Sequence, residues 1–408
     1  MNEVSTTAIT RRPGMVRRVA AAAMLSVLAL PAAAAPNASD ANDAVNAAEL
    51  PPETLSVQPL APADDGRLYI SDVAFKHMVD GRLHVVDGKR MRYLGLVPTA
   101  FGGQSVLSPD KRTLYVISTF YTRLARGERA DVVSLYDTAT LAYRSEIVIP
   151  PKHAQSLNYR GIAAVSADGH FLYVQNATPA TSVSIVDLQA GKFVAEAQTP
   201  GCWGIFATEA SSQRFRTLCS DGTMLTVTHD AAGQPSGQKR SARMFDPDAD
   251  PVFLHSERVG NTLTFVSFNG NVYSADLSGE APVFAQPWPV VDAADRKAGW
   301  KPGGYQLFAL HAATGRLYLG MHPRSKEGSH KTPAAEIWTI DLAQHKRIAR
   351  APGQNALALT ITQGPQPTLY VLDAARAGVV SLDPARGLKP VARLDQVAEN
   401  AVQLELHQ

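Results

Sequence analysis

The runs Gly315 to His322 (GRLYLGMH) and Glu336 to Asp341 (EIWTID) are one copy of a unit that returns throughout this chain. Each run is short, bounded by turn residues and dense in β-branched, aromatic or large apolar side chains, which is the pattern of a β-strand. The first type of run centres on Tyr69, Tyr115, Tyr173, Thr264, Tyr318 and Tyr370, with a degraded copy at Phe215 to Cys219. The second type ends in Asp at Asp87, Asp137, Asp187, Asp276, Asp341 and Asp383, where a carboxylate can accept hydrogen bonds from the turn that follows. Copies spaced by roughly 45 to 58 residues match the length of four-stranded propeller blades carrying insertions. A lone blade cannot bury both faces of its sheet, so the pattern predicts an all-β fold: a seven-bladed β-propeller of four-stranded antiparallel blades. A tandem of β-sandwiches with a coincidental period is the competing arrangement.

A repeat architecture gathers its units into one domain, so 408 residues need not mean several. The expected division is a secretory signal peptide at 1–35, an extended N-terminal arm at 36–62 and the propeller at 63–408. Four arginines (Arg11, Arg12, Arg17, Arg18) precede an apolar run from Val19 to Leu30 and then small residues at Ala33 and Ala35. That order of charge, apolar run and small residues is a signal peptide, and the run is short for a membrane span; a retained anchor is the alternative. The arm is rich in Ala, Asn, Asp and Pro without periodicity. Ala401 to His407 alternates like one more strand, suited to share a blade with the strand at Tyr69. The expected mature protein is exported to the periplasm with no membrane span.

Net charge is +2, which gives no reason to expect nucleic acid or an acidic membrane as partner. The two cysteines, Cys202 and Cys219, form an even pair in an exported chain and are expected to make a disulfide, with two buried free thiols as the alternative. Three insertions break the blade length, at 121–131, 152–160 and 322–333, each mixing charge with Tyr or His. Any one could be a solvated hairpin, but three together suit contact with another macromolecule.

No nucleophile elbow, dinucleotide loop, phosphate loop, zinc-protease motif or haem-attachment motif occurs. His311, His322 and His330 have no metal-ligand spacing. The chain therefore presents no self-contained catalytic set and suits a subunit that shapes a site completed by another chain.

Longer stretches carry a specific resemblance. Leu96 to Phe101 (LVPTAF), Leu157 to Tyr159, Gln175 to Ser182 (QNATPATS), Pro302 to Tyr305 (PGGY) and Lys326 to Lys331 (KEGSHK) with Pro333 to Trp338 resemble the heavy subunit of the quinoprotein amine dehydrogenases, most closely the aralkylamine branch and also the methylamine branch. The resemblance implies an α2β2 heterotetramer in which a small subunit carries tryptophan tryptophylquinone and the catalytic base. A primary amine is oxidised to aldehyde and ammonia, and electrons pass to a blue copper protein, azurin or amicyanin. No catalytic residue, metal or cofactor is then expected on this chain. Phe75 falls where the family places an aromatic ring at the mouth of the substrate channel, and Phe101 leads towards an inner strand on the same side. A stand-alone propeller for binding, or a propeller hydrolase such as a lactonase, are the readings from other classes.

Overall fold

A computed structural model describes residues 58–155 and 159–408. The signal peptide at 1–35, the arm up to residue 57 and the motif residues Leu157 and Asn158 lie outside the described residues.

The strands follow from the repeat. The Tyr-centred runs form Arg67–Asp72, Thr113–Arg123, Phe171–Asn176, Thr262–Ser267, Arg316–His322 and Leu369–Asp373, and each pairs antiparallel with the Asp-ending strand that follows it. The degraded copy forms Ser211–Cys219. All six terminal Asp residues cap their turns as expected: Asp187 Oδ1 accepts from the N–H groups of Gln189 and Ala190 at 2.9 and 2.8 Å, and Asp341 does the same with Ala343 and Gln344 at 2.9 Å each. Asp87, Asp137, Asp276 and Asp383 repeat the device. Each cap satisfies backbone donors that would otherwise need water at a tight turn.

The expected seven blades of four strands are corrected by the hydrogen-bond ladders. Five sheets stand as self-contained blades, four with four strands and one with five, and the remaining strands form one continuous eight-stranded sheet. The merger has a local cause. Lys346–Ile361 runs for 16 residues, serving as outer strand to Ala334–Asp341 and then as inner strand to Leu369–Asp373. Only a kink at Gln354 and Asn355, both left-handed (φ 55° and 54°), lies between the two roles, so the ladder is never interrupted. The fifth strand elsewhere arises because Asn271–Asp276 pairs with two short outer segments, Val283–Phe284 and Trp288–Pro289.

The last strand, Ala401–Leu406, pairs with Arg67–Asp72 and supplies the inner strand of the first blade. Between sheets, the core is built from the strand faces: Leu68, Ile70, Tyr370 and Leu404 pack together at the closure, and Trp338, Leu319 and Phe308 pack in the merged sheet. Burying one such side chain stabilises by about 1.5–3 kcal/mol, so the stacked faces dominate the fold energy. Buried Tyr173 keeps its phenol satisfied across repeats, with Oη 2.7 Å from His229 Nε2.

Cys202 and Cys219 are bonded, with sulfurs 2.04 Å apart, and face each other directly on the antiparallel strands Cys202–Thr208 and Ser211–Cys219. The short helix Ala293–Lys297 sits where Asp292 to Trp300 suggested one or two turns. Asp292 and Asp295 form a reciprocal cap at its start.

Candidate functional site

The three insertions, remote in the chain, meet through side chains. Tyr121 of the first takes a hydrogen bond from Gln155 Nε2 of the second at 3.1 Å. Arg129 grips Asp131 through two nitrogens, at 2.8 and 2.7 Å, and donates to the His153 carbonyl at 2.8 Å, while Asp131 Oδ2 accepts from the His153 N–H. Tyr159 of the second insertion stacks on Tyr305, centroids 5.7 Å apart, and Lys331 of the third lies over both rings, at 5.9 and 5.1 Å. The ring of His153 is buried, and neither ring nitrogen has a partner. Burial drives its pKa down to about 4, Asp131 opposing and Arg129 assisting, so it is a neutral packing group.

A cavity of about 210 Å³ opens among these groups, lined by Phe75, Met78, Thr99, Gln155, Tyr305 and Lys331. A second, of about 150 Å³, lies on the other side of the same wall, and Phe75 and Tyr305 line it too, with Asp373 and Glu399. Phe75 is thus a partition between two cavities, with 55% of its surface exposed. Its loop is held from below by Asp72. That carboxylate accepts from the N–H groups of Ala74, Glu399 and Asn400 at 2.9, 2.6 and 2.9 Å, and His84 Nε2 lies 3.4 Å away. Burial alone would raise the Asp72 pKa; His84 and the three backbone donors overcome it and hold the group well below the usual carboxylate range. The Phe75 N–H donates to Asn400 Oδ1 at 3.1 Å, which completes the anchoring.

Phe101 is placed differently. It opens the inner strand Phe101–Leu107, and its ring packs edge-on against Tyr121, centroids 6.1 Å apart. Its neighbours Ala100, Gly102 and Gly103 line the first cavity, while the Phe101 ring is not part of the wall. Phe75 and Phe101 therefore belong to the same region with distinct jobs, one bordering the cavities and one bracing the first insertion.

The Pro302-Gly303-Gly304-Tyr305 turn positions Tyr305 and the third insertion together. A Cβ at Gly303 would fall 2.6 Å from both the His322 ring and the Thr332 carbonyl, and Gly304 has φ of 122°. Only glycine fits either place. Gly304 N–H donates to the His330 carbonyl at 3.1 Å, which seats the Ser329–Lys331 turn against Tyr305. The three histidines singled out by proximity in sequence do separate things: His311 bonds Thr314 and the Gly364 carbonyl, His322 lies over Gly303, and His330 contributes its carbonyl. Among the described residues, no group of three or more His, Cys, Asp or Glu side chains could hold a metal ion.

A larger cavity, about 640 Å³, lies elsewhere: it is walled by inner-strand residues such as Val106, Ala164 and Ala207, with Arg160, Glu257 and Glu405 among them. Arg160 engages both acids across it, lying 2.8 Å from Glu257 and 3.3 Å from Glu405. The smaller pair of cavities, lined by Thr99, Gln155, Tyr305 and Lys331 from two of the insertions and two of the quoted motifs, with Tyr121 of the remaining insertion bonded to Gln155, is the better candidate. Met78, Thr99, Gln155, Tyr305 and Lys331 were not singled out individually from the sequence, though each of the last four falls in an insertion or a quoted motif.

With this arrangement in view, the match to known families is informative: the model for methylamine dehydrogenase heavy chain matches residues 64–404. The chain belongs to the methylamine dehydrogenase heavy chain family. The match takes in the whole candidate site. It is 29% identical over 345 residues to a methylamine dehydrogenase heavy chain of Methylophilus methylotrophus, covering 83% of each chain. It is 28% identical over 354 residues to one of Paracoccus versutus, covering 85% of this chain and 81% of that one. Among solved structures, it resembles a dihydro-heme d1 dehydrogenase (TM-score 0.54, 19% identity, 86% of this chain and 77% of that one). It also resembles a protein of unknown function from Desulfotomaculum acetoxidans (TM-score 0.56, 9% identity, 84% and 98%). At these identities the structural matches speak for the propeller fold alone.

Proposed function

We propose that this chain is the heavy subunit of a periplasmic, quinone-dependent amine dehydrogenase, in which it walls the substrate entrance of a small subunit carrying tryptophan tryptophylquinone. The observation that carries the reading is Phe75, held out at the junction of two cavities on the surface where the three family-matching insertions meet. An exposed aromatic ring anchored by a buried carboxylate is poor economy for a core but suits a gate, since its position is set while its face stays free. The second cavity adds little charge to this wall, since Asp373 is paired with Arg393 at 2.7 Å and Glu399 with His77 at 2.9 Å, so the apolar ring is what the entrance presents.

The quinone would supply the electron sink for oxidation of the amine to aldehyde and ammonia. This chain's part is to orient and exclude: Phe75 and Tyr305 shape the entrance, and Asp72 and Asn400 hold the loop that presents Phe75. A blue copper protein, azurin or amicyanin, would take the electrons.

The sequence motifs favour aralkylamines as substrates. A second reading, methylamine, has its own support, because the relatives named above are methylamine dehydrogenase heavy chains. One experiment tests both. The chain is co-expressed with its small subunit and assayed with phenylethylamine, tyramine and methylamine, and the chain purified alone serves as the control. Amine-dependent dye reduction is expected only in the assembled protein, with aromatic amines giving the higher kcat/KM. Reduction by the isolated chain would overturn the subunit reading, and a preference for methylamine would overturn the substrate class.

A further inference from the structure

Lys331 is a cation with no carboxylate partner at the edge of a cavity wall whose one other charged side chain is Asp72. Its ammonium lies over the stacked rings of Tyr159 and Tyr305, and no carboxylate among the described residues pairs with it. The one carboxylate in that lining, Asp72, is already occupied by three backbone N–H groups. The rest of the wall is largely apolar or backbone: Val73, Phe75, Met78, Ala100 and Val402, with glycines between.

The neighbouring insertions carry the same imbalance. Arg123, Arg126, Arg324 and Lys326 are exposed and paired with no carboxylate among the described residues, and only Glu128 and Glu327 in these insertions are unpaired acids. Exposed Phe120 and Leu124 lie within this basic stretch. Apolar side chains ringed by unpaired cations mark a surface built for an acidic protein partner. The amine substrate itself is a cation and is repelled by Lys331, so this pocket is not its seat.

We infer that Lys331 and the cavity beside it form a recognition pocket for an acidic segment of the small subunit, one apolar side chain entering against Phe75 and Met78 while an adjacent carboxylate pairs with the Lys331 ammonium. The inference rests on the functional reading above and adds the chemistry by which the two subunits recognise each other. The two tyrosines hold the ammonium in place before the partner arrives, which lowers the ordering cost of the contact. The ring of Phe75 is then shared: one face closes the docked pocket and the other faces the neighbouring cavity.

The test measures association of the intact heavy chain with the quinone-bearing small subunit, at low and high salt, for the native protein and for Lys331→Arg, Lys331→Gln and Lys331→Glu. Loss of one charge-assisted contact at an interface corresponds to a weakening of about tenfold or more. Lys331→Gln is expected to show that loss, Lys331→Glu a larger one that shrinks as salt rises, and Lys331→Arg to stay near native. Thermal melting confirms that each variant is folded, and Lys331→Gln decides the matter if Lys331→Glu is not. Native-like association of Lys331→Gln and Lys331→Glu at low salt overturns the inference. So does normal assembly combined with slowed reduction of the copper protein, which would assign the cation to the electron acceptor. A native chain that recruits no quinone-bearing subunit removes the functional reading and this pocket together, whereas equal recruitment by native and variant chains removes the pocket alone.

Discussion

Arg160 and Glu257 sit 2.8 Å apart although 97 residues separate them, and the same guanidinium reaches Glu405, so one side chain from the second insertion ties together strands of two other sheets. The Glu257 carboxyl would be raised by burial, but Arg160 and His255 more than offset this and hold it below the usual range. Removing the arginine leaves two carboxylates facing one cavity. Arg160→Gln is expected to cost about 1–3 kcal/mol in urea unfolding. Adding Glu257→Gln should recover part of the loss, since it removes one of the stranded charges. Additive losses in the double variant would show that the pair contributes no mutual stabilisation.

Phe75 and Phe101 are expected to respond in opposite ways to truncation. Phe75→Ala removes a ring that is already half in solvent, so stability should change by less than about 1 kcal/mol. The ratio of kcat/KM for phenylethylamine over methylamine in the assembled enzyme should shift by the equivalent of about 1–3 kcal/mol. Phe101→Ala removes a brace against Tyr121 and should lower the melting temperature while leaving that ratio near native. The reverse pattern would exchange their roles.

The disulfide is testable by breaking it. Closing a loop of this size contributes about 3 kcal/mol by restricting the unfolded chain. Cys202 and Cys219 are already opposed within one hairpin of the sheet, so the strands should still pair without it. A Cys202→Ala, Cys219→Ala double variant is expected to keep its circular dichroism spectrum and lose up to that much stability in urea; a native-like midpoint would show that the crosslink is energetically idle.

His153 gives the stability a pH dependence of known sign. Its folded pKa, about 4, lies below the unfolded value of 6.5. Between those values the unfolded chain binds more protons at this site. The site's contribution is complete above pH 6.5 and is lost as pH falls towards 4, a change of about 3 kcal/mol. Urea midpoints should therefore drop on acidification across that window, and His153→Leu should flatten the drop, because neither ring nitrogen has a hydrogen bond to lose. An unchanged slope in the variant would place the acid sensitivity at other groups.

Local features were the legible ones. The Tyr-centred strands and Asp-capped turns depend on residues a few positions apart, so their signals survive in the linear chain. The division into blades depends on how each repeat hands over to the next. At 352–356 that handover is a two-residue kink inside a strand, and no composition signal separates it from a turn that breaks the ladder. The site divides the same way. Resemblance is what singles out Phe75, and the polar insertions stand out by interrupting the repeat. That Gln155, Tyr305 and Lys331 would surround Phe75 is a product of long-range stacking, which pairs residues 146 apart in the case of Tyr159 and Tyr305.

The pairing of Ala401–Leu406 with Arg67–Asp72 also sets a timetable. Leu68 and Ile70, in the first strand of the described residues, stay without their inner neighbour during synthesis until Leu404 and Leu406 have been made, long after them in the chain. Through all of that interval the first sheet has a bare hydrogen-bonding edge, open to any other strand that comes by. A copy that stops before Ala401 would carry that edge permanently. Such a chain should be recovered as aggregate or as exchanged dimer, however sound its remaining sheets.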